Sequence, residues 1–122
     1  MARVVNIERY FAKFTDTFSP KIVGELNGQH VKLVHLEGDK VPWHTHDHED
    51  ELFWVVEGAL EVLERDGSVT LHPGEFCIVP RGREHRVVPL GHVKLILFEP
   101  DGIAHTGNVR AEITKDRCDR LT

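Results

Sequence analysis

Apolar and polar positions alternate along most of this chain in short runs punctuated by glycine and proline. The exception comes first. In NIERYFAKF, residues 6–14, the apolar side chains of Ile7, Tyr10, Phe11 and Phe14 recur at spacings of three and four. That period predicts a short amphipathic helix with Asn6 as its N-cap, laying one face on whatever sheet follows. Ser19-Pro20 ends it, and the period then drops to two. Lys21–Leu26 and His30–Leu36 read as strands joined by the hairpin-turn dipeptide Asn27-Gly28. After them come LFWVVE, ALEVLER, SVTLH, EFCIV, EHRVV and HVKLILF, separated by turn signals at Gly58, Asp66-Gly67, Pro73-Gly74 and Pro80–Gly82. About eight or nine short strands with a single short helix predict an all-β sandwich or barrel.

One stretch, Gly38 to Gly58, carries chemistry as well as pattern. His44 and His46 are separated by one residue, so on an extended chain their imidazoles point to the same side. The polar run Asp47-His48-Glu49-Asp50 reads as a solvated acidic turn, and Glu51 opens the strand that returns from it. An antiparallel return brings the Glu51 carboxylate back beside the two rings. Two neutral imidazoles and a carboxylate form a mixed nitrogen and oxygen donor set, which suits a transition metal better than calcium. The same parity places Phe53 and Val55 on the metal side, with Leu60 and Val62 facing the interior from the other hairpin arm. Trp43 and Trp54 fall on the opposite faces, where they serve packing or an interface. His48 reads as a surface or rim residue. His35 either looks into the barrel or is exposed.

Gly38, His44, His46, Glu51 and Gly58 fill every fixed position of the pattern G-x5-H-x-H-x3–4-E-x6-G, and Gly74, Pro80, Gly82 and His85 match G-x5-P-x-G-x2-H-x3-N. With both motifs present, the chain resembles the cupin superfamily, and its flanks SPKIVGELNG and EPDGIAHTGN resemble small single-domain bacterial cupins. The resemblance implies a double-stranded β-helix (a jelly-roll barrel) and adds His85 as the fourth metal ligand. It also implies a divalent transition metal, iron or manganese ahead of zinc, nickel or copper. One position departs from the family: Pro89 stands where the second motif has Asn, which questions where the strand after His85 ends. Val87 shares the parity of His85 and joins the expected pocket wall. Arg83, also of that parity, is a candidate for an anionic substrate group, although a solvated loop arginine is the plainer reading.

Length and composition narrow the function further. At 122 residues the chain is expected to be one domain: an N-terminal helix and strand over 1–37, a metal-binding core over 38–100 and a polar tail over 101–122. The net charge of −5 and the lack of a basic stripe argue against nucleic acid as a partner. No apolar run has the length of a membrane span and no signal-peptide core opens the chain, so a cytoplasmic protein is expected. The two cysteines, Cys77 and Cys118, lie far apart; they read as a small core residue and a tail residue. The expected function is a metal-dependent, dioxygenase-like oxidoreductase acting on a small organic molecule chelated at the metal. The alternatives are a non-catalytic ligand-binding or sensor cupin and a redox-neutral isomerase or lyase using the metal as Lewis acid. A homodimer is expected from the two tryptophans off the metal face, from the apolar helix, and from the way single-domain cupins pair.

Overall fold

The computed structural model describes residues 2–100 and 118–122. Its helix is shorter than the periodicity suggests: α1 covers Ile7–Phe11, capped by Asn6, whose side chain accepts from the Arg9 N–H at 2.9 Å. Phe14 lies beyond the helix yet still packs with Ile7, Tyr10 and Phe11 against Val23 and Leu33, forming a small apolar layer on the outer face of the sheet.

Seven strands follow among the described residues: β1 Lys21–Leu26, β2 Gln29–Leu36, β3 Glu51–Glu64, β4 Gly67–Leu71, β5 Phe76–Val79, β6 His85–Pro100 and β7 Asp119–Arg120. They hydrogen-bond in the order β4-β3-β6-β2-β1-β7, with β5 on the first half of β3. All pairings are antiparallel except β1 with β7. The result is the expected all-β jelly roll with one short helix. Asn27 and Gly28 take positive φ, as the tight β1–β2 hairpin requires.

The strand count is lower than eight or nine because two expected breaks are bends. β3 continues through Gly58 and β6 through Gly91, both at positive φ. At Gly58 the partner strand presses close: a Cβ there would stand 2.3 Å from the His92 carbonyl oxygen, so only glycine fits. The β3–β6 register slips on either side of Glu57. Interior positions on β3 therefore pass from odd (Phe53, Val55) to even (Leu60, Val62) across the bend, as bulges allow. Nor does Pro89 end its strand. It sits within β6 opposite Leu60, just before the Gly91 bend.

The main core gathers Val34, Leu36, Phe53, Val55, Leu60, Val62, Val87, Leu95 and Leu97 between the sheet halves. Cys77 packs against it, partly buried, and Cys118 is partly buried as well; both thiols are free. The polar tail expected over 101–122 lies outside the described residues except for 118–122, whose β7 pairs with β1. No described helix is long and apolar enough to cross a membrane.

Candidate metal centre

His44 and His46 belong to no regular strand. Their segment is tied down instead by the turn before β6 and by His85, the first residue of that strand. His44 and His85 form an isolated antiparallel bridge, each N–H donating to the other's carbonyl at 2.9 Å. The Gly82 N–H donates to the His46 carbonyl at 2.8 Å, and the Asp50 carboxylate accepts from the Arg81 N–H at 2.9 Å. These links clip the two motif loops together over the start of β3, where Glu51 is the first residue.

The four side chains converge as a result. His44, His46, Glu51 and His85 are all buried, and each offers one ligand atom within 4.8 Å of all the others. Each ring is held by its far nitrogen. Nδ1–H of His44 donates to the Pro42 carbonyl at 2.8 Å, that of His85 to the Arg83 carbonyl at 3.0 Å, and that of His46 to Glu49 Oε1 at 2.7 Å. A carbonyl or carboxylate acceptor fixes the proton on Nδ1 and turns the Nε2 lone pair inward, the arrangement expected around metal-ligating histidine.

The inward nitrogens crowd one carboxylate. His46 Nε2 stands 2.9 Å from Glu51 Oε2 and His85 Nε2 3.2 Å from Glu51 Oε1, while the buried His44 Nε2 has no partner among the described residues. The His46 contact is one of charge, its angle falling outside that of an aligned hydrogen bond. Burial holds the His44 imidazole down at about 4, so it stays neutral, as a ligand must. Burial would also lower His46, but the Glu51 carboxylate outweighs it, with Glu49 assisting, and raises that ring to about 9. Burial would raise Glu51; His46 and His85 together hold its carboxyl below the usual range. An orphaned buried nitrogen, two more nitrogens turned on one carboxylate and three anchored Nδ1 atoms fit a divalent transition metal, held by three nitrogens and one oxygen.

Beside the centre lies a narrow apolar cavity of about 30 Å³, lined by Phe18, Pro20, Val34, Leu36, Val41, His44, Glu51, Phe53, Val87, Leu95 and Leu97. A single water needs roughly 10–15 Å³. Of the residues expected as pocket wall, Phe53 and Val87 line it; Val55, Leu60 and Val62 lie in the core behind. Arg83 does not belong there. Its side chain is exposed and pairs with Glu64 over a separate polar groove. The opposing wall comes from Phe18 and Pro20 and from alternate positions of β2 and β6, which the alternation in VKLVHL and VKLILF could have supplied.

Other sequence expectations need correction. Glu49 is not simply part of a solvated turn, because its carboxylate holds His46. Asp50 is tied to Arg81, while Asp47 and His48 are exposed. His35 neither enters the barrel nor is exposed. It is buried under α1, with Nε2–H donating to the Phe11 carbonyl at 3.0 Å and Nδ1 2.9 Å from His92 Nε2. Trp43 is capped by the Arg65 guanidinium, 3.8 Å from the ring centre. Sequence reasoning missed a buried pair, Lys32 and Glu99, joined at 3.0 Å, because partners 67 residues apart give no local signal.

Fold and site together define a small jelly-roll domain with a three-histidine, one-carboxylate centre at the barrel mouth. The family description "Cupin domain" matches residues 32–100, and the chain belongs to that family. It is similar in structure to a cupin-2 domain protein from Shewanella frigidimarina, at 37% identity and TM-score 0.77, covering 80% of this chain and 94% of that one. A Neisseria meningitidis protein matches at 31% identity and TM-score 0.72, over 81% of this chain and all (100%) of the other. A germin-like protein of Arabidopsis thaliana is 32% identical over 114 residues, covering 84% of this chain and 49% of the relative. The chain spans about half the length of the curated relatives it matches.

Proposed function

We propose that the chain is a metal-dependent, dioxygenase-like oxidoreductase acting on a small organic molecule chelated at the metal. His44, His46 and His85 would hold the ion through Nε2 and Glu51 through its carboxylate. The observation that carries the reading is the convergence of these four buried ligands with each imidazole anchored through Nδ1. Four ligands leave open positions on a six-coordinate ion, whereas a purely structural site closes its shell. A redox-capable ion, iron or manganese, supplies the electron chemistry of an oxygenase and the Lewis acidity that draws in a chelating substrate.

The chain's own residues do the rest. The Nδ1 bonds orient the imidazoles with Nε2 toward the centre. Phe53, Val87, Leu95 and Leu97 exclude water beside the ligands and give the substrate's carbon skeleton an apolar wall. The cavity's size restricts what it can hold to a small molecule or a small end of one. The test pairs metal analysis of purified protein with oxygen uptake by iron-loaded protein against β-dicarbonyl, thiol and catechol compounds. Turnover with one class supports the proposal. Tight reversible ligand binding without turnover makes the protein a binding module instead.

A further inference from the structure

The cavity beside the metal centre is lined on one side by a residue whose backbone does not favour its side chain. Two described residues other than glycine take positive φ, Asn27 and Phe18. Asn27 sits in the β1–β2 hairpin, where that conformation is required; Phe18, at φ +54°, lies in the segment before β1. A bulky side chain in the left-handed region is an outlier, and such outliers persist where the surroundings over-determine them, often at ligand clamps. Here the surroundings do so. Thr17 bridges His35 on β2, and the Phe18 N–H donates to the His35 carbonyl at 2.8 Å. The buried Lys21 ammonium ties down both sides of the residue, donating to Asp16 at 2.8 Å and to Ser19 Oγ at 3.0 Å. Phe18 itself is 3% exposed and, with His44 and Glu51, lines the cavity of about 30 Å³.

We propose that Phe18 is the specificity-determining residue of this site: its ring limits the chelated molecule to an apolar tail of about two or three carbons. The inference rests on the reading of a ligand chelated at the metal and adds its class, a small chelating molecule with a short hydrocarbon tail.

The size follows from the cavity. A water needs roughly 10–15 Å³ of such a volume, so about 30 Å³ takes about two or three groups the size of a water or a methylene. The chemistry follows from the wall. Apart from the ligands His44 and Glu51, every described lining residue is apolar, so a hydroxyl or amine on the tail would lose its water without gaining a partner. Two aromatic rings stand in that wall. Phe53 is set by the β3–β6 register two residues from Glu51, and its ring centre lies 6.0 Å from that of His85. Phe18 comes from outside the strands, on a backbone that favours glycine or asparagine. The fold therefore holds a large ring against the local preference of its own backbone, at the cavity that the ligands open onto.

The experiment varies the tail. Linear alkyl hydroxamic acids, which chelate through two oxygens, are titrated by calorimetry into manganese-loaded wild type, Phe18→Ala and Leu60→Ala, from acetohydroxamate to octanohydroxamate. Each methylene buried should tighten binding about fourfold. In wild type the gain should stop at butanohydroxamate. In Phe18→Ala it should continue, so that octanohydroxamate binds roughly tenfold or more tightly than in wild type, the worth of about two further methylenes. Acetohydroxamate should bind both alike. Leu60 is fully buried in the core but does not line the cavity, so Leu60→Ala should weaken the fold without lengthening the tail that binds. If Phe18→Ala does not fold, Phe18→Leu should extend the gain by about one methylene, roughly fourfold. The same tail profile in wild type and the Phe18 variant overturns the proposal. So does an equal extension in Leu60→Ala, or a wild type that takes up manganese but binds no hydroxamate. A wild type that takes up neither manganese nor iron overturns the metal-centre reading itself, and metal analysis shows this before any titration.

Discussion

His44 and His85, 41 residues apart in the sequence, exchange both of their backbone hydrogen bonds at 2.9 Å, so the two halves of the ligand set are joined through the main chain before any metal arrives. A backbone joined in this way should survive loss of a single side chain. His85→Ala should keep the fold yet no longer hold stoichiometric metal, since a donor is lost without replacement. Glu51→Gln, nearly isosteric, should fold and bind more weakly, having lost the only anionic ligand. Circular dichroism and elemental analysis of each variant check both outcomes.

Glu49 should matter although it touches no metal. Its carboxylate fixes the tautomer of His46, and outer partners of this kind are typically worth about 10–100-fold in metal affinity. Glu49→Ala should weaken binding by that range in a chelator competition, while the neighbouring Asp47→Ala, at an exposed position, should leave it unchanged.

The metal-free protein should lose stability on both sides of neutrality. His46 is raised to about 9, so its contribution is complete below the unfolded value of 6.5 and disappears as pH climbs through 9. His44 is lowered to about 4, so its contribution is present above 6.5 and is lost as pH falls through 4. Glu99, raised to about 7, contributes most below 4.5 and loses that contribution as pH rises through 7. Melting temperature against pH should therefore fall on the alkaline side from about 6.5 to 9. His46→Gln should flatten that limb, and an unchanged limb would refute the assignment.

Gly58→Ala should destabilise by roughly 2–5 kcal/mol, from a left-handed backbone plus overpacking against β6. Gly28→Ala, which meets no neighbour within 4 Å, should cost only the backbone part, roughly 1–2 kcal/mol. Urea denaturation of the two variants separates them.

We propose that a second copy of the chain covers the outer face of β3 and β5. Trp54, Phe76 and Ile78 are 42%, 53% and 54% exposed there, and the Trp54 and Phe76 rings meet at 5.7 Å. Their β3–β5 register makes one contiguous apolar patch with Leu52. Light scattering at micromolar concentration should give twice the chain mass, and Trp54→Lys should reduce it to the monomer. A wild-type monomer refutes the proposal.

Much of this protein is legible from local pattern. Period-two alternation places Phe53 and Val87 beside the ligands because a strand sends successive side chains to opposite faces whatever it pairs with. Asn27-Gly28 marks a hairpin because few residues tolerate positive φ. The H-x-H spacing, Glu51 and the Pro-x-Gly-x2-His segment point to one centre because each motif acts over a few residues. What tertiary structure alone decided depends on which distant segments meet. Whether a glycine breaks a strand or bends it depends on the partner pressed against it, as His92 is against Gly58. Glu49 lies in a run of acidic residues, and only the fold of the turn distinguishes it from its exposed neighbour Asp47. His35 has the composition of a barrel residue but the parity of the outer layer, where α1 covers it. The Lys32–Glu99 pair is invisible in sequence for the same reason: β6 carries Arg86, Lys94 and Glu99, and only its register with β2 brings Glu99 diagonally beside Lys32.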